Sequence, residues 1–277
     1  MRTTLSTSTK IKTALAGLMA SAALLASPAQ AGPESFAQYS GDQSEAVDHA
    51  AWGTFLGKYL RTVENGPNLV AYGQVSAEDK QALKDYIDSL EAIDPTRLSE
   101  DEAFAYWVNL YNAVTIDVIL DNYPVESIRD IRSGVFAAGP WKMDLVEVNG
   151  EDLSLDNIEH DILREYFNEP RVHYAVNCAS IGCPNLVAEP YTGATLEAQL
   201  EAGAIRYVND PRGVSFDADG DVTLSSIYKW FKEDFGNSQT QVLAHVRRYA
   251  KDDLRAKLAD VSRIDGYDYD WALNEAK

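Results

Sequence analysis

Two cysteines, Cys178 and Cys183, are the only thiols in the chain, and both lie in the stretch N-C-A-S-I-G-C-P. Two cysteines this close in an exported chain can close a disulfide. A metal site needs more ligands than this local segment supplies, so none is expected. The remaining chemistry is nucleophilic. Cys178 directly follows the short apolar run 171–177, read as a buried strand, and it opens a Ser/Gly-containing loop. A sulfur at the end of a rigid element sits beside free backbone N–H groups, here those of residues 178–180 including Ser180. Such groups lower a thiol pKa and hold an oxyanion.

A thiol nucleophile needs a base, usually an imidazole, and a group that orients the base. The chain has four histidines. His49 and His245 fall on amphipathic helices and are expected to be solvated. His160 lies in S-L-D-N-I-E-H-D-I-L, with Asp156 four residues earlier on the same helical face, where it can hold one ring nitrogen. Glu159 is adjacent and would point about 100° away on a regular helix. His173 lies five residues from Cys178, and odd spacing on a strand sets the two on opposite faces. That geometry favours His160 as the base and leaves His173 as a structural or ligand-binding imidazole. Asn109 and Asn112 interrupt the apolar run F-A-Y-W-V-N-L-Y-N-A. Buried Asn must be hydrogen-bonded, so either one pins a loop or orients a catalytic histidine, with the structural role favoured. The run Asp217-x-Asp219-Gly220-Asp221 resembles half a calcium loop, but its glycine comes too early and no Glu closes it, so it reads as a hairpin turn. No cofactor is expected.

These residues need elements to position them. A helix is predicted over 44–64, with Ser44 as cap and Val47, Trp52, Leu56 and Leu60 on one face. Residues 69–75 read as extended. Ser76-x-x-Asp79 opens a helix that runs to about Ile93 and stops at Asp94-Pro95. Ser99-x-x-Glu102 is a capping-box variant, with Glu102 reaching back, and it opens the most strongly patterned helix, 100–122. Residues 145–148 and 152–155 flank an Asn149-Gly150 turn and read as a hairpin. Helices follow over 156–167, 194–208, 225–235 and 240–258, with a second hairpin at 214–224 and a closing strand over 264–273. With no linker or repeat, residues 44–277 are read as one mostly helical α+β domain with a small antiparallel sheet, after a flexible lead-in over 32–43.

The N-terminus carries Arg2, Lys10 and Lys12, then the apolar run 14–26, then Ala29-Gln30-Ala31. These are the three parts of a secretory signal peptide over 1–31, and they imply a periplasmic or secreted protein. Its removal takes away three positive charges and no negative one, so the formal charge of −19 becomes more negative still. Such acidity argues against nucleic acid or an anionic membrane as partner once the signal is cleaved. The pattern sets no oligomeric state.

The segments W-V-N-L-Y-N-A (107–113), Y-P-V-x-S-I-R-D-I (123–131), L-S-L-D-N-I-E-H-x-I-L-R (153–164), V-H-Y-A-V-N-C-A-S-I-G-C-P (172–184) and Y-D-W-x-L-N (269–274) occur in this order. Together they resemble the bacterial branch of the domain-of-unknown-function family number 547, from about residue 45 to the C-terminus. The resemblance implies a papain-like or transglutaminase-like layout with Cys178 and His160 as the reactive pair. It points to Cys178 rather than Cys183, since the second cysteine is replaced in some branches. The order here, histidine before cysteine, is reversed relative to papain and requires a permuted or convergent arrangement. The expected activity is a Cys-His hydrolase or acyl-transferase acting on a small peptide or amide, a small thiol peptide included. In it Cys178 attacks, His160 moves the proton, and Asp156, Glu159 or an Asn orients the imidazole. The rival expectation is a non-catalytic ligand-binding or structural envelope protein with a Cys178–Cys183 disulfide.

Overall fold

Helix α3, Glu100–Asn122, is apolar on nearly every side, and a helix of that kind must be buried all round. Ser99 starts it by accepting the Glu102 N–H. Its length and mean hydropathy of 1.3 would suit a membrane span, yet 94% of that window is buried inside the protein. Helices α1 (Ala50–Tyr59) and α2 (Ala77–Glu91) supply part of that cover. Trp107 is wedged edge-on between Phe36 and Tyr106, with ring centroids 5.0 and 4.9 Å away.

The computed structural model describes residues 33–42, 46–64, 66–132 and 139–277. The segment 1–31, read as a signal peptide, and the Ser44 cap lie outside the described residues. The described residues form one compact unit, and among them helices with three small sheets define the α+β class. The first hydrophobic cluster surrounds α3. The second is built on a sheet of strands Val214–Phe216, Val222–Ser225 and Gly266–Asp268, with helices Leu196–Val208, Gln239–Tyr249 and Asp252–Leu258. The first two strands run antiparallel, whereas the third joins the second in parallel.

Several sequence expectations need correcting. The 32–43 lead-in is held over its described part: Phe36 is fully buried, and Ser40 and Gly41 donate backbone hydrogen bonds to Thr96 and Leu98. The first helix begins only at Ala50, and Leu60–Arg61 leaves it as strand β1, which pairs with β2, Leu69–Val70. Glu102 does not reach back to its cap. Its two carboxylate oxygens accept the N–H groups of Val47 and Gly193, each at 2.7 Å, and so tie two distant loops to α3. The second cluster's 240–258 helix is split at Ala250, because Asn209 Oδ1 takes the Lys251 N–H at 2.7 Å. Of the closing strand, only Gly266–Asp268 pairs with the sheet. His49 and His245 are not solvated. Tyr86 O–H and Tyr174 O–H meet them at 2.7 and 2.8 Å, and burial pulls each imidazole down to about 4.

Two departures bear on the site. The 156–167 helix is capped by Ser154, whose hydroxyl accepts the Asn157 N–H, and it winds as a π-helix over Asn157–Arg164 before one α-turn, Glu165–Phe167. π-Turns recur at functional positions, and they void rules based on regular α spacing. The 171–177 run is no strand. Pro170–Tyr174 is a 3₁₀ turn, started by the fixed φ of Pro170 and by the Glu169 carboxylate accepting the Arg171 N–H.

Candidate active site

The cysteine loop is pinned from both sides before any chemistry is considered. From α3, Asn112 donates to the Ala175 carbonyl at 3.0 Å and accepts the Asn177 N–H at 2.8 Å. Asn177 in turn donates to the Pro184 carbonyl and accepts the Ala179 N–H, so it clamps the loop that carries both sulfurs. On the other side, Ile181 and Gly182 N–H groups donate to Ala272 and Asp270 carbonyls, both at 2.8 Å. Gly182 is required there, since a Cβ would meet the Asp270 backbone at 2.8–2.9 Å. Directly after Cys178, the buried Ala179 adopts a left-handed φ of 56°. A non-glycine residue in that region stores roughly 1–2 kcal/mol, which the clamp must hold.

Within this frame the two sulfurs lie 2.7 Å apart. Cys183 Sγ also accepts the Cys178 N–H at 3.0 Å and the Tyr269 O–H at 3.2 Å. Burial works against a Cys183 thiolate, but the hydrogen bonds from Cys178, Tyr269 and the Cys178 N–H outweigh it and lower the pKa. Cys178 moves the other way: its hydrogen bond to Cys183, together with burial, holds its proton on. The surroundings of the two sulfurs are therefore asymmetric and favour a thiolate at Cys183 over one at Cys178. Ser180 Oγ and Tyr269 O–H touch Cys178 Sγ at 3.3 and 3.0 Å and meet each other at 2.9 Å. Burial pushes Tyr269 well up, so its hydroxyl keeps its proton and remains a donor.

The sulfurs share one cavity of about 270 Å³ with Asp156, Glu159, His160 and His173, walled by Tyr111, Trp141, Trp230, Phe231, Tyr269 and Trp271. The opposite-face argument for His173 fails with the strand on which it rested. His173 is almost fully buried, lies flat on Phe231 at 4.3 Å, and bonds Asp234 through Nε2 at 2.6 Å. Its Nδ1 faces Glu159 at 4.0 Å, and Glu159 accepts the Tyr111 O–H at 2.9 Å. Although burial opposes the Asp234 charge, the hydrogen bonds of His173 and Arg164 hold that carboxyl down at about 2. His160 is less firmly oriented. Its Nε2 lies 3.8 Å from Asp156, and its Nδ1 receives Arg164 at 3.3 Å. Arg164 can only donate, so the His160 Nδ1 lone pair is engaged. Burial raises the Asp156 carboxyl, and the neighbouring His160 offsets part of that rise. Neither sulfur is hydrogen-bonded to an imidazole among the described residues.

Two expected contributions fall elsewhere. The Cys178 and Ala179 N–H groups are engaged by Cys183 Sγ and Asn177, while the hydroxyls of Tyr269 and Ser180 stand beside the sulfurs. Asn109 and Asn112 do not line the cavity; Asn109 pins Tyr191 by a reciprocal pair of hydrogen bonds at 2.8 and 3.0 Å. Sequence reasoning missed Asp234 and passed over Tyr269. Asp234 is one acidic residue among many, with no local pattern. Tyr269 stands in Y-D-W-x-L-N, where an aromatic pair beside a turn was its only signal.

Residues 95–208 match the family model described as "Protein of unknown function, DUF547", in agreement with the family read from the motifs. The matched segment holds both cysteines, His160 and His173. Asp234, Tyr269 and the aromatic wall from Trp230 to Trp271 lie beyond it. No curated protein and no solved structure matches the chain.

Proposed function

We propose that the chain is an exported, cysteine-dependent hydrolase or acyl-transferase that acts on a small peptide or amide held in the aromatic cavity, in a papain-like manner. The observation that carries this reading is the meeting of two sulfurs, two imidazoles and their carboxylates around one cavity of about 270 Å³. Cys178 is the more exposed sulfur and the nucleophile. As it attacks the carbonyl carbon, its proton passes to Cys183, 2.7 Å away. Tyr269 O–H, 3.0 Å from Cys178 Sγ, donates to the carbonyl oxygen as that oxygen gains charge. An imidazole on the cavity wall then relays that proton from Cys183 to the leaving amine, which restores Cys183 and leaves the imidazole unchanged. His173 is the better oriented, through Asp234, and His160 is the second imidazole on the same wall. Water releases the acyl group in the second step. The N-terminal pattern over 1–31 supports export.

The short sulfur–sulfur separation favours the second reading, a stable disulfide in a non-catalytic envelope protein. Counting thiols on protein isolated without reductant, then measuring iodoacetamide alkylation against pH, separates the two. The nucleophile reading expects free thiols, an alkylation profile of the sulfur pair displaced from that of an ordinary cysteine, and release of amine from aminoacyl nitroanilides that Cys178→Ser abolishes. Protein that arrives with no free thiol, and that releases no amine after reduction, overturns it.

A further inference from the structure

The sulfur pair supports a chemistry that needs no carbonyl. A thiol that attacks an external disulfide must next be released from the mixed disulfide, and the partner thiol does this fastest when it is already ionised and already in place. Cys183 is in place, and the hydrogen bonds it receives favour its thiolate. Cys183 Sγ is the neighbouring sulfur of Cys178 Sγ, at 2.7 Å and unbonded, with the Cys178 N–H and the Tyr269 O–H also aimed at it. The Asn112–Asn177 clamp and the Asp270–Ala272 strap hold the loop in that geometry. The cavity beyond Cys178 is walled by aromatic rings, among them Trp230, which is 43% exposed, and this lining suits an apolar or peptide-borne disulfide.

We propose that Cys178 and Cys183 form a dithiol that reduces the disulfide of a small thiol or thiol peptide, independently of any amide hydrolysis. Cys178 Sγ attacks one sulfur of the substrate RS–SR′, forming Cys178–S–S–R, and the departing R′S⁻ takes up the Cys178 proton as R′SH. The Cys183 thiolate then attacks Cys178 Sγ, and the S–R bond breaks to release RS⁻. The substrate disulfide has gained two electrons, the two cysteines have lost two, and the protein is left as the Cys178–Cys183 disulfide. An added dithiol returns it to the starting state.

The test uses the processed full-length protein, reduced and freed of reductant, with bis(2-hydroxyethyl) disulfide as the probe. Wild type should release two mercaptoethanols per chain and end as an unmodified chain lacking two hydrogen atoms, as read by intact mass. Cys183→Ser should release one and remain as a stable mercaptoethanol adduct on Cys178. Cys178→Ser should react at least tenfold more slowly, because the remaining sulfur is buried. Circular dichroism confirms that each variant is folded. A stable adduct on wild type, or a wild-type rate no faster than that of the chain unfolded in urea, overturns the proposal. Nitroanilide hydrolysis is measured on the same samples. Its loss with exchange intact defeats only the hydrolase reading, and the reverse outcome defeats only this one.

Discussion

The interior of α3 and the wall of the cavity bury similar polar groups and treat them differently. In α3, Asn109 and Asn112 are enclosed by apolar side chains, and each completes a donor–acceptor pair with one loop: Asn109 with Tyr191, Asn112 with Ala175 and Asn177. Across the cavity, Cys178, Cys183, His160 and His173 also have partners, but they border a space that a second molecule can enter. The first arrangement fixes a loop. The second places exchangeable protons beside whatever enters. Burial of a polar group does not separate structure from chemistry, whereas a place on the wall of a shared cavity does. The contrast predicts that substitutions at α3 will act on stability, and that substitutions at the wall will act on protonation.

The largest effect should come from Trp107→Ala. The indole is fully buried against Phe36 and Tyr106 and donates to Tyr39 O–H at 3.2 Å. Loss of its packing should cost about 3–5 kcal/mol in urea unfolding, with thiol reactivity of the surviving folded fraction unchanged. A cost below about 0.5 kcal/mol would contradict the burial.

Asn112→Ala probes the junction of the two regions. It strands the Asn177 N–H and the Ala175 carbonyl, each at a cost of about 1–3 kcal/mol. Because Asn177 carries the clamp, this α3 variant alone should also alter cysteine alkylation, whereas Asn109→Ala should not. Equal alkylation profiles for the two variants would break the distinction.

Asp234→Asn tests the wall through pH. The folded carboxyl lies near 2, below its ordinary 3.8, so its contribution is fully present above about 4 and is lost as pH falls toward 2. The contribution is on the order of 2 kcal/mol. The variant should be less stable at neutral pH and should lack this part of the acid-side slope. His49 provides the α3-side counterpart. Its folded value of about 4 lies below 6.5, so the unfolded chain binds the extra proton first, and stability falls between about pH 6.5 and 4. His49→Gln should flatten that window and leave the thiols unaffected.

Much of this contrast was legible in the sequence. The helix 100–122, its Ser99 start, both hairpins and the structural role of the two asparagines follow from periodicity, capping and turn chemistry, all of which are local. The residue types of the site were legible for the same reason: two thiols in one loop and a histidine beside acids. Their arrangement was not. It depends on a π-turn and a 3₁₀ turn that period-based rules read as a regular helix and a strand. It depends also on Asp234 and Tyr269, which reach the site from about 60 and 90 residues away in sequence. The lead-in was read as loose because its polar composition hides one anchor, Phe36.

Tyr269→Phe should give the smallest change in stability and the most specific change in chemistry. The ring stays, so its contacts with Trp230 and Trp271, at 4.9 and 4.7 Å, are kept. What is lost is one O–H shared among Cys178, Cys183 and Ser180. A hydrogen bond to a charged group is worth about 1.5–3 kcal/mol, and losing it disfavours the thiolate it supports. The alkylation midpoint of the sulfur pair should therefore rise. The Cys178 N–H still holds Cys183, so the shift should stop short of an isolated buried thiol. The same variant should slow acyl transfer more than it slows disulfide exchange, because only the carbonyl reaction also uses this hydroxyl to hold an oxyanion. Alkylation against pH, nitroanilide turnover and mercaptoethanol release on one preparation give all three numbers. An unmoved midpoint would mean that Cys183 is not the thiolate, and the wall would then be as self-satisfied as the interior of α3.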